Sequence, residues 1–185
     1  TVLVQQLQAP VNEILFNRSY FSLEEAGLGF LCLPLEANVE EKWHHDAAWL
    51  RVFGDSYRFK DSRYEQSAPP WPAAGSVGPT NRVLRWARAL HDESGARAAV
   101  QAFLDRMKSA GHPDGLIRTT ALHVRLTEPD DPYWRCDKCA RVHLHRGVGR
   151  CTRCFVELPE APTATAGELQ QSNFLSLRVS RSVDG

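Results

Sequence analysis

The sequence predicts an α+β fold: a helical N-terminal portion with a few strands, then a small zinc ribbon of the β-hairpin type. Three observations carry this. Apolar residues recur at helical period over 38–53 and again over 81–109. They alternate over 116–127, as along a strand with one buried face. Four of the five cysteines form two C-x2-C pairs separated by eleven residues. The chain divides accordingly into an α/β part (1–54), a Pro-rich loop or linker (55–80), two helices plus a strand (81–130), a four-cysteine zinc ribbon (131–160) and a C-terminal tail or strand (161–185).

Composition agrees with a globular class. Hydrophobic residues make up 43% of 185 and charged residues 24%, enough apolar surface for a core and far from the profile of a disordered chain. No run of about 18 apolar residues occurs, so a membrane is not among the expected partners. The 22 basic and 22 acidic residues balance overall but not locally. Residues 1–80 hold 6 basic and 10 acidic residues, whereas 131–159 hold 6 basic and 3 acidic. A small basic module attracts phosphate backbone without regard to sequence. The sole methionine is Met107, so the chain is expected to be a piece of a longer protein.

In the first segment, Val2–Val4 opens the chain and Pro10 suits the first turn of a short helix. Ser22-Leu23-Glu24-Glu25 has the form of a capping box, and Phe30–Leu33, closed by Pro34, reads as a buried strand. Cys32 fits that strand as a small hydrophobe. The long helix over 38–53 has Asn38 as its cap and Glu41 three positions on, with Val39, Trp43, Ala47, Leu50 and Phe53 as its apolar stripe and Gly54 as its stop. His44, His45 and Asp46 fall beside the stripe. Neighbouring helical residues point about 100° apart, so they cannot converge on one ion, and a solvated face is expected. In 55–80, Pro69-Pro70-Trp71-Pro72 marks an irregular excursion with Trp71 either packed down or offered to a partner.

Within 81–109, Asn81 caps the first helix and Ser94 the second, and Arg82, Arg85 and Arg88 line an outer face. Helices followed by a strand also suit a winged-helix-like order. Leu122, Val124 and Leu126 are the strand's expected buried face.

The chemistry lies at Cys136, Cys139, Cys151 and Cys154. Each C-x2-C folds into a knuckle that presents two sulfurs, and two knuckles complete a tetrahedron of thiolates around zinc. Val142–His145 leads out of the first knuckle, and Gly147 and Gly149 supply the turn back to Arg150. A full shell of four sulfurs leaves no open position for water, so the expected Zn2+ is structural. Paired cysteines with an odd one over favour metal in a reducing, cytoplasmic compartment over a disulfide scaffold, and make the Asn17-Arg18-Ser19 sequon incidental. His143 and His145 share one strand face and are expected at the surface. Tyr133 and Trp134 either pack on the hairpin or stack on a base. Arg135, Arg141, Arg146, Arg150 and Arg153 are the candidate nucleic-acid contacts.

The run Trp134-Arg135-Cys136-x-x-Cys139, Val142-His143-Leu144-His145-Arg146, Gly149-x-Cys151-Thr152-x-Cys154 and Leu158-Pro159 resembles zinc-ribbon segments of large bacterial DEAD/DEAH-box helicases, several of which belong to phage-defence systems. Ala140 and Phe155 depart from ribbons in general, which commonly place glycine there. The resemblance implies an accessory region of a helicase, outside its motor. No G-x-x-x-x-G-K-[ST] occurs, so ATP chemistry is assigned to no residue of this chain. Expected partners are nucleic acid, DNA in the first instance, and other subunits or domains of a larger complex. The alternative is a protein–protein adaptor in which zinc is purely structural and Trp71 docks the partner.

Overall fold

The computed structural model describes residues 11, 14–16, 22–34, 40–60, 69–174 and 176–178. The expectations on Val2–Val4, Pro10, the sequon, and the Asn38 cap with Val39 lie outside the described residues. The architecture is α+β. In chain order it runs β1 (Gly29–Cys32), α1 (Glu40–Asp55), α2 (Arg82–Leu90), α3 (Glu93–Ser109), β2 (His123–Leu126), β3 (Pro132–Arg135), β4 (Val142–His143), β5 (Ala164–Thr165) and α4 (Ala166–Ser172). Short 3-10 turns lie at Ala74–Ser76, Pro113–Gly115 and Thr119–Ala121.

Helix α1 is the axis of the molecule. Ala47, Leu50 and Phe53 of the expected stripe are buried, but so are Ala48, Trp49 and Val52 on the other sides. Apolar residues buried on more than one side place the second half of the helix inside, not on a surface. Gly54 does not stop it. The helix continues to Asp55, and Gly54 is small because the Phe16 ring lies against it: a Cβ there would fall 1.9 Å from Phe16 Cδ1. The chain turns off at Tyr57, whose φ is 57°.

Helices α2 and α3 pack against each other and beside α1. Asn81 caps α2 as expected, accepting the Val83 amide at 2.8 Å. The cap of α3 is Asp92 rather than Ser94: its carboxylate accepts the Gly95 amide at 2.7 Å and the Ser94 hydroxyl at 3.2 Å. A carboxylate near the helix N-terminus also meets the positive end of the dipole, which a serine does not. Phe103 of α3 fits between Trp49 and Phe53, with ring centroids 5.3 and 5.1 Å apart. Trp71 is buried, edge-on to Phe53 and 3.4 Å beneath the Arg58 guanidinium, so the proline-rich stretch is fastened to the core and Trp71 is withdrawn as a partner anchor. Burial lowers Arg58 to about 10, and its donors go to the Gly115, Pro69 and Asp114 carbonyls.

Strand β2 pairs antiparallel with β1, with Leu31 opposite Val124 and Gly29 opposite Leu126. The 1–54 and 81–130 segments therefore share one sheet and one core, which departs from a winged-helix unit confined to 81–130. β1 is buried throughout, but the expected buried face of β2 is not. Val124 is 46% and Leu126 69% exposed, because the core that covers Leu31 does not extend across to β2. The other sheet, three-stranded and ordered β4-β3-β5, lies over α1 and carries the ribbon. The C-terminal segment is strand and then helix: Thr165 caps α4 in a capping box with Glu168.

Replacing Phe103 with Ala should lower unfolding free energy by about 3–5 kcal/mol, the cost of a large cavity in a packed core. Leu126→Ser on exposed β2 should stay within about 0.5 kcal/mol. Chemical denaturation of the two variants measures both; equal losses would contradict the burial described for β2.

Candidate metal centre and its buried charged seam

Each cysteine pair sits on a tight turn. In the first, the Ala140 amide donates to the Cys136 carbonyl at 2.8 Å and the Cys136 amide to the Arg141 carbonyl at 2.9 Å. In the second, Phe155 donates to Cys151 at 2.9 Å and Cys151 to Val156 at 2.8 Å. The two knuckles are copies of one hydrogen-bond pattern. Both end on a left-handed residue, Ala140 at φ 58° and Phe155 at φ 66°, where a side chain costs about 1–2 kcal/mol that glycine would not. The arrangement of the hairpin differs from expectation. β4 pairs not with a returning strand but with β3, Trp134 opposite His143, so the first knuckle is itself the hairpin tip. The second knuckle is the tip of a smaller turn closed by an Arg150–Glu157 bridge. Gly147 and Gly149 join the two with φ of 59° and 75°.

The four sulfurs converge. Cys136 and Cys154 Sγ are 3.5 Å apart and Cys139 and Cys151 Sγ 3.6 Å apart, and all four lie within 4.8 Å of one another with no disulfide. A tetrahedron with 2.3 Å zinc–sulfur bonds has edges of about 3.8 Å, so the set fits zinc. Burial pushes the Cys139 and Cys151 thiols up, whereas at Cys154 burial is outweighed by hydrogen bonds from the Val156 backbone and the other sulfurs, which bring the thiol down; a divalent cation would favour the thiolate form of all four. The Arg153 amide points at Cys151 Sγ from 3.4 Å, an outer contact of the kind that orients a metal ligand. Cys136, Cys139, Cys151 and Cys154 form a structural zinc site, and the chain is a zinc-binding module.

The ribbon does not project into solvent. It is laid against α1 across a seam of charged residues. Arg141, expected at a phosphate, is 3% exposed; both its terminal nitrogens reach the buried Asp55 carboxylate of α1. Burial works against the Arg141 charge, but Asp55 more than offsets it and holds the guanidinium above its ordinary range. That leaves Arg141 no face to offer nucleic acid. Asp55 also meets Arg82 of α2, which reaches on to the carbonyls of Thr152 and Arg153 in the second knuckle. Arg82 is thus a clasp and not part of a solvated row, and Arg88 is held by Glu93 at 2.6 Å. Phe155 completes the clasp, its ring 5.5 Å from Trp86 and 4.8 Å from the Arg82 guanidinium.

At the other end of the seam, Arg51 of α1 donates to Glu24 at 2.6 Å, to the Val142 carbonyl at 2.6 Å and to Glu25 at 3.3 Å. The capping box expected at Glu25 is only half formed. Ser22 does accept the Glu25 amide at 3.3 Å, but the Glu25 carboxylate goes to Arg51 and the Val142 amide instead. Burial raises Glu24 and lowers Arg51 despite their contact, so desolvation outweighs pairing there.

His143 and His145, expected at the surface, are 1% and 2% exposed. His145 stacks on His44 at 5.1 Å and meets the edge of Phe30 at 4.7 Å, which places His44 in an aromatic contact and not on a solvated face. Neither ring nitrogen of His145, nor Nε2 of His143, has a hydrogen-bond partner among the described residues. Burial, with Arg51 and neighbouring charges adding to it, holds both well below the ordinary histidine range. Tyr133 is buried with Val142, Leu144 and Phe30 and Trp134 packs on the zinc knuckles, the packing alternative for both.

The remaining candidates stay outside. Arg146 and Arg153 are exposed, and Arg135 and Arg150 half-buried, with Lys138 exposed beside Cys139. Arg146 donates to the Pro159 carbonyl, Arg150 to Phe155 and Glu157, and Arg135 to Ala140. The seam residues Glu24, Glu25, Arg51 and Asp55 escaped sequence reasoning. Their one signal is that Arg51 and Asp55 are four apart on a helix, with Arg51 set inside the apolar run Ala47–Phe53. No protein-family model, no curated protein and no solved structure matches the chain.

Arg141→Ala should cost about 3–5 kcal/mol, because it strands the Asp55 carboxylate in the interior. Pairing it with Asp55→Asn should recover part of the loss; a double variant no more stable than Arg141→Ala in denaturant titration would contradict the pairing. Acid should also destabilise the seam. His143 and His145 are neutral when folded but protonate near 6.5 when unfolded, so stability is present above that pH and is lost as pH falls below it. Thermal melts in excess zinc should show a slope below pH 6.5 that His145→Phe reduces; an unchanged slope would count against the buried pair.

Proposed function

We propose that the chain is a zinc-ribbon accessory module of a nucleic-acid-processing machine, and that the cationic outer side of its ribbon contacts DNA. The supporting observation is the split in the ribbon's basic residues. Arg141 is spent inside, while Lys138, Arg146 and Arg153 stay exposed on a scaffold that four sulfurs hold rigid, with Arg135 and Arg150 beside them. Fixed cations of this kind position a module on phosphates and do not read bases. The resemblance of the ribbon to those of DEAD/DEAH-box helicases extends the proposal to the parent: a helicase of the phage-defence kind, working in the cytoplasm, with this chain outside the motor. A second reading, a protein-docking module, draws on a different observation, the exposed Val124 and Leu126 on β2.

Binding to duplex DNA should weaken linearly on a log–log plot against salt, with a slope of about −2 to −4 for three or four phosphate contacts. Lys138→Glu with Arg153→Glu should reduce both affinity and slope while zinc content stays at one per chain. Fluorescence anisotropy with a labelled duplex reads this out. No binding at low salt would reject the DNA contact and leave the docking reading.

A further inference from the structure

The zinc centre contains the same asymmetry twice. Cys139 and Cys154 are half-buried, whereas Cys136 and Cys151 are 1% and 0% exposed. Each reachable sulfur has as its close neighbour a sheltered sulfur from the other knuckle: Cys139 beside Cys151 at 3.6 Å, and Cys154 beside Cys136 at 3.5 Å. A disulfide requires about 2.05 Å. Both knuckles are also fastened to the helices. The first leads straight into Arg141, the partner of Asp55, and the second supplies the carbonyls that Arg82 holds and the Phe155 ring against Trp86.

We propose that the four-cysteine centre is an oxidation site as well as a structural one: a hydroperoxide joins Cys139 to Cys151, or Cys154 to Cys136, and the ribbon is thereby released from α1 and α2. The reachable thiolate attacks the outer peroxide oxygen. The O–O bond breaks, a sulfenic acid forms, and the departing oxygen leaves as alcohol, or as water from hydrogen peroxide, after taking a proton from solvent. The sheltered thiolate of the other knuckle then attacks the sulfenic sulfur. An S–S bond forms and hydroxide leaves, so two electrons have passed from two sulfurs to the peroxide. Two of the four ligands are now joined, and the remaining two do not complete a shell for zinc. Drawing sulfurs together by about 1.5 Å shifts the knuckles, and the Arg141–Asp55 pair cannot follow without exposing a charge it was built to bury. The proposal rests on the zinc centre and is independent of the DNA reading, since neither step involves the outer arginines.

Wild-type zinc-loaded chain treated with hydrogen peroxide tests it, with no variant needed. A chromophoric chelator reads released zinc, and non-reducing peptide mapping reads the links. Trypsin cuts after Lys138, Arg135, Arg141, Arg150 and Arg153, which puts each of the four cysteines on its own peptide. Hydrogen exchange reads residues 46–55 of α1. The expected result is one zinc released per chain, peptides linked 139–151 or 136–154, and exchange in 46–55 faster by tenfold or more, all reversed by dithiothreitol with added zinc. Links confined within a knuckle (136–139 or 151–154), zinc retained at excess peroxide, or zinc lost with unchanged α1 exchange would each overturn the proposal.

Discussion

A charge taken out of water must find its opposite, and α1 takes three of them inside. Asp46, Arg51 and Asp55 are all buried on this one helix. Each is answered from a different part of the chain: Asp46 by Arg106 of α3, Arg51 by Glu24 and Glu25 of the N-terminal turn, Asp55 by Arg82 of α2 and Arg141 of the ribbon. Apolar packing brings these elements together, but it is tolerant of slips in register. Ion pairs with buried partners are not, because a one-turn shift would leave a bare charge costing several kcal/mol. The helix thereby sets where every neighbour sits. It also explains why a ribbon too small to bury a core of its own is found flat against the larger core.

Within that frame the zinc site and the seam depend on each other. The knuckles are held in shape by four sulfurs, and their backbones include two side-chain-bearing residues in the left-handed region. At Phe155 the backbone cost is offset by what the ring does, since it fills the space between Trp86 and Arg82. Glycine would relax the turn and remove the contact. At Ala140 the side chain is exposed and makes no comparable contact, and nothing in the structure explains why glycine is absent there.

Much of the architecture is legible in the sequence because it follows from periodicity. The helical stripes of α1, α2 and α3, the Asn81 cap, the buried strand before Pro34 and the two cysteine pairs are all repeat patterns that a local window captures. What escapes such a window is non-local. Arg141, Glu24, Glu25, Arg51 and Asp55 look like surface residues, since charged side chains are rarely buried unless paired, and the pairing spans up to 117 positions between Glu25 and Val142. His143 and His145 alternate correctly on a strand, but which face is covered depends on α1. The same reason underlies β2, where alternation is present and the covering layer is not. Gly54 reads as a stop signal because a glycine demanded by a neighbouring ring leaves no trace in local sequence.

The turn at residues 22–28 is fastened by a segment that lies far downstream of it in the chain. Gln170 donates to the Gly27 carbonyl at 2.7 Å, Asn173 to Glu25 at 3.3 Å and Ser176 to Ala26 at 2.6 Å. These contacts span about one hundred and fifty positions. Loops of that length close late and slowly. On a ribosome, α1, α2 and α3 emerge and pack well before the stretch that pins the acidic turn against Arg51. The nascent chain therefore passes through a stage in which its central helix is dressed on one side and its arginine waits, solvated, for residues 170–176 to arrive.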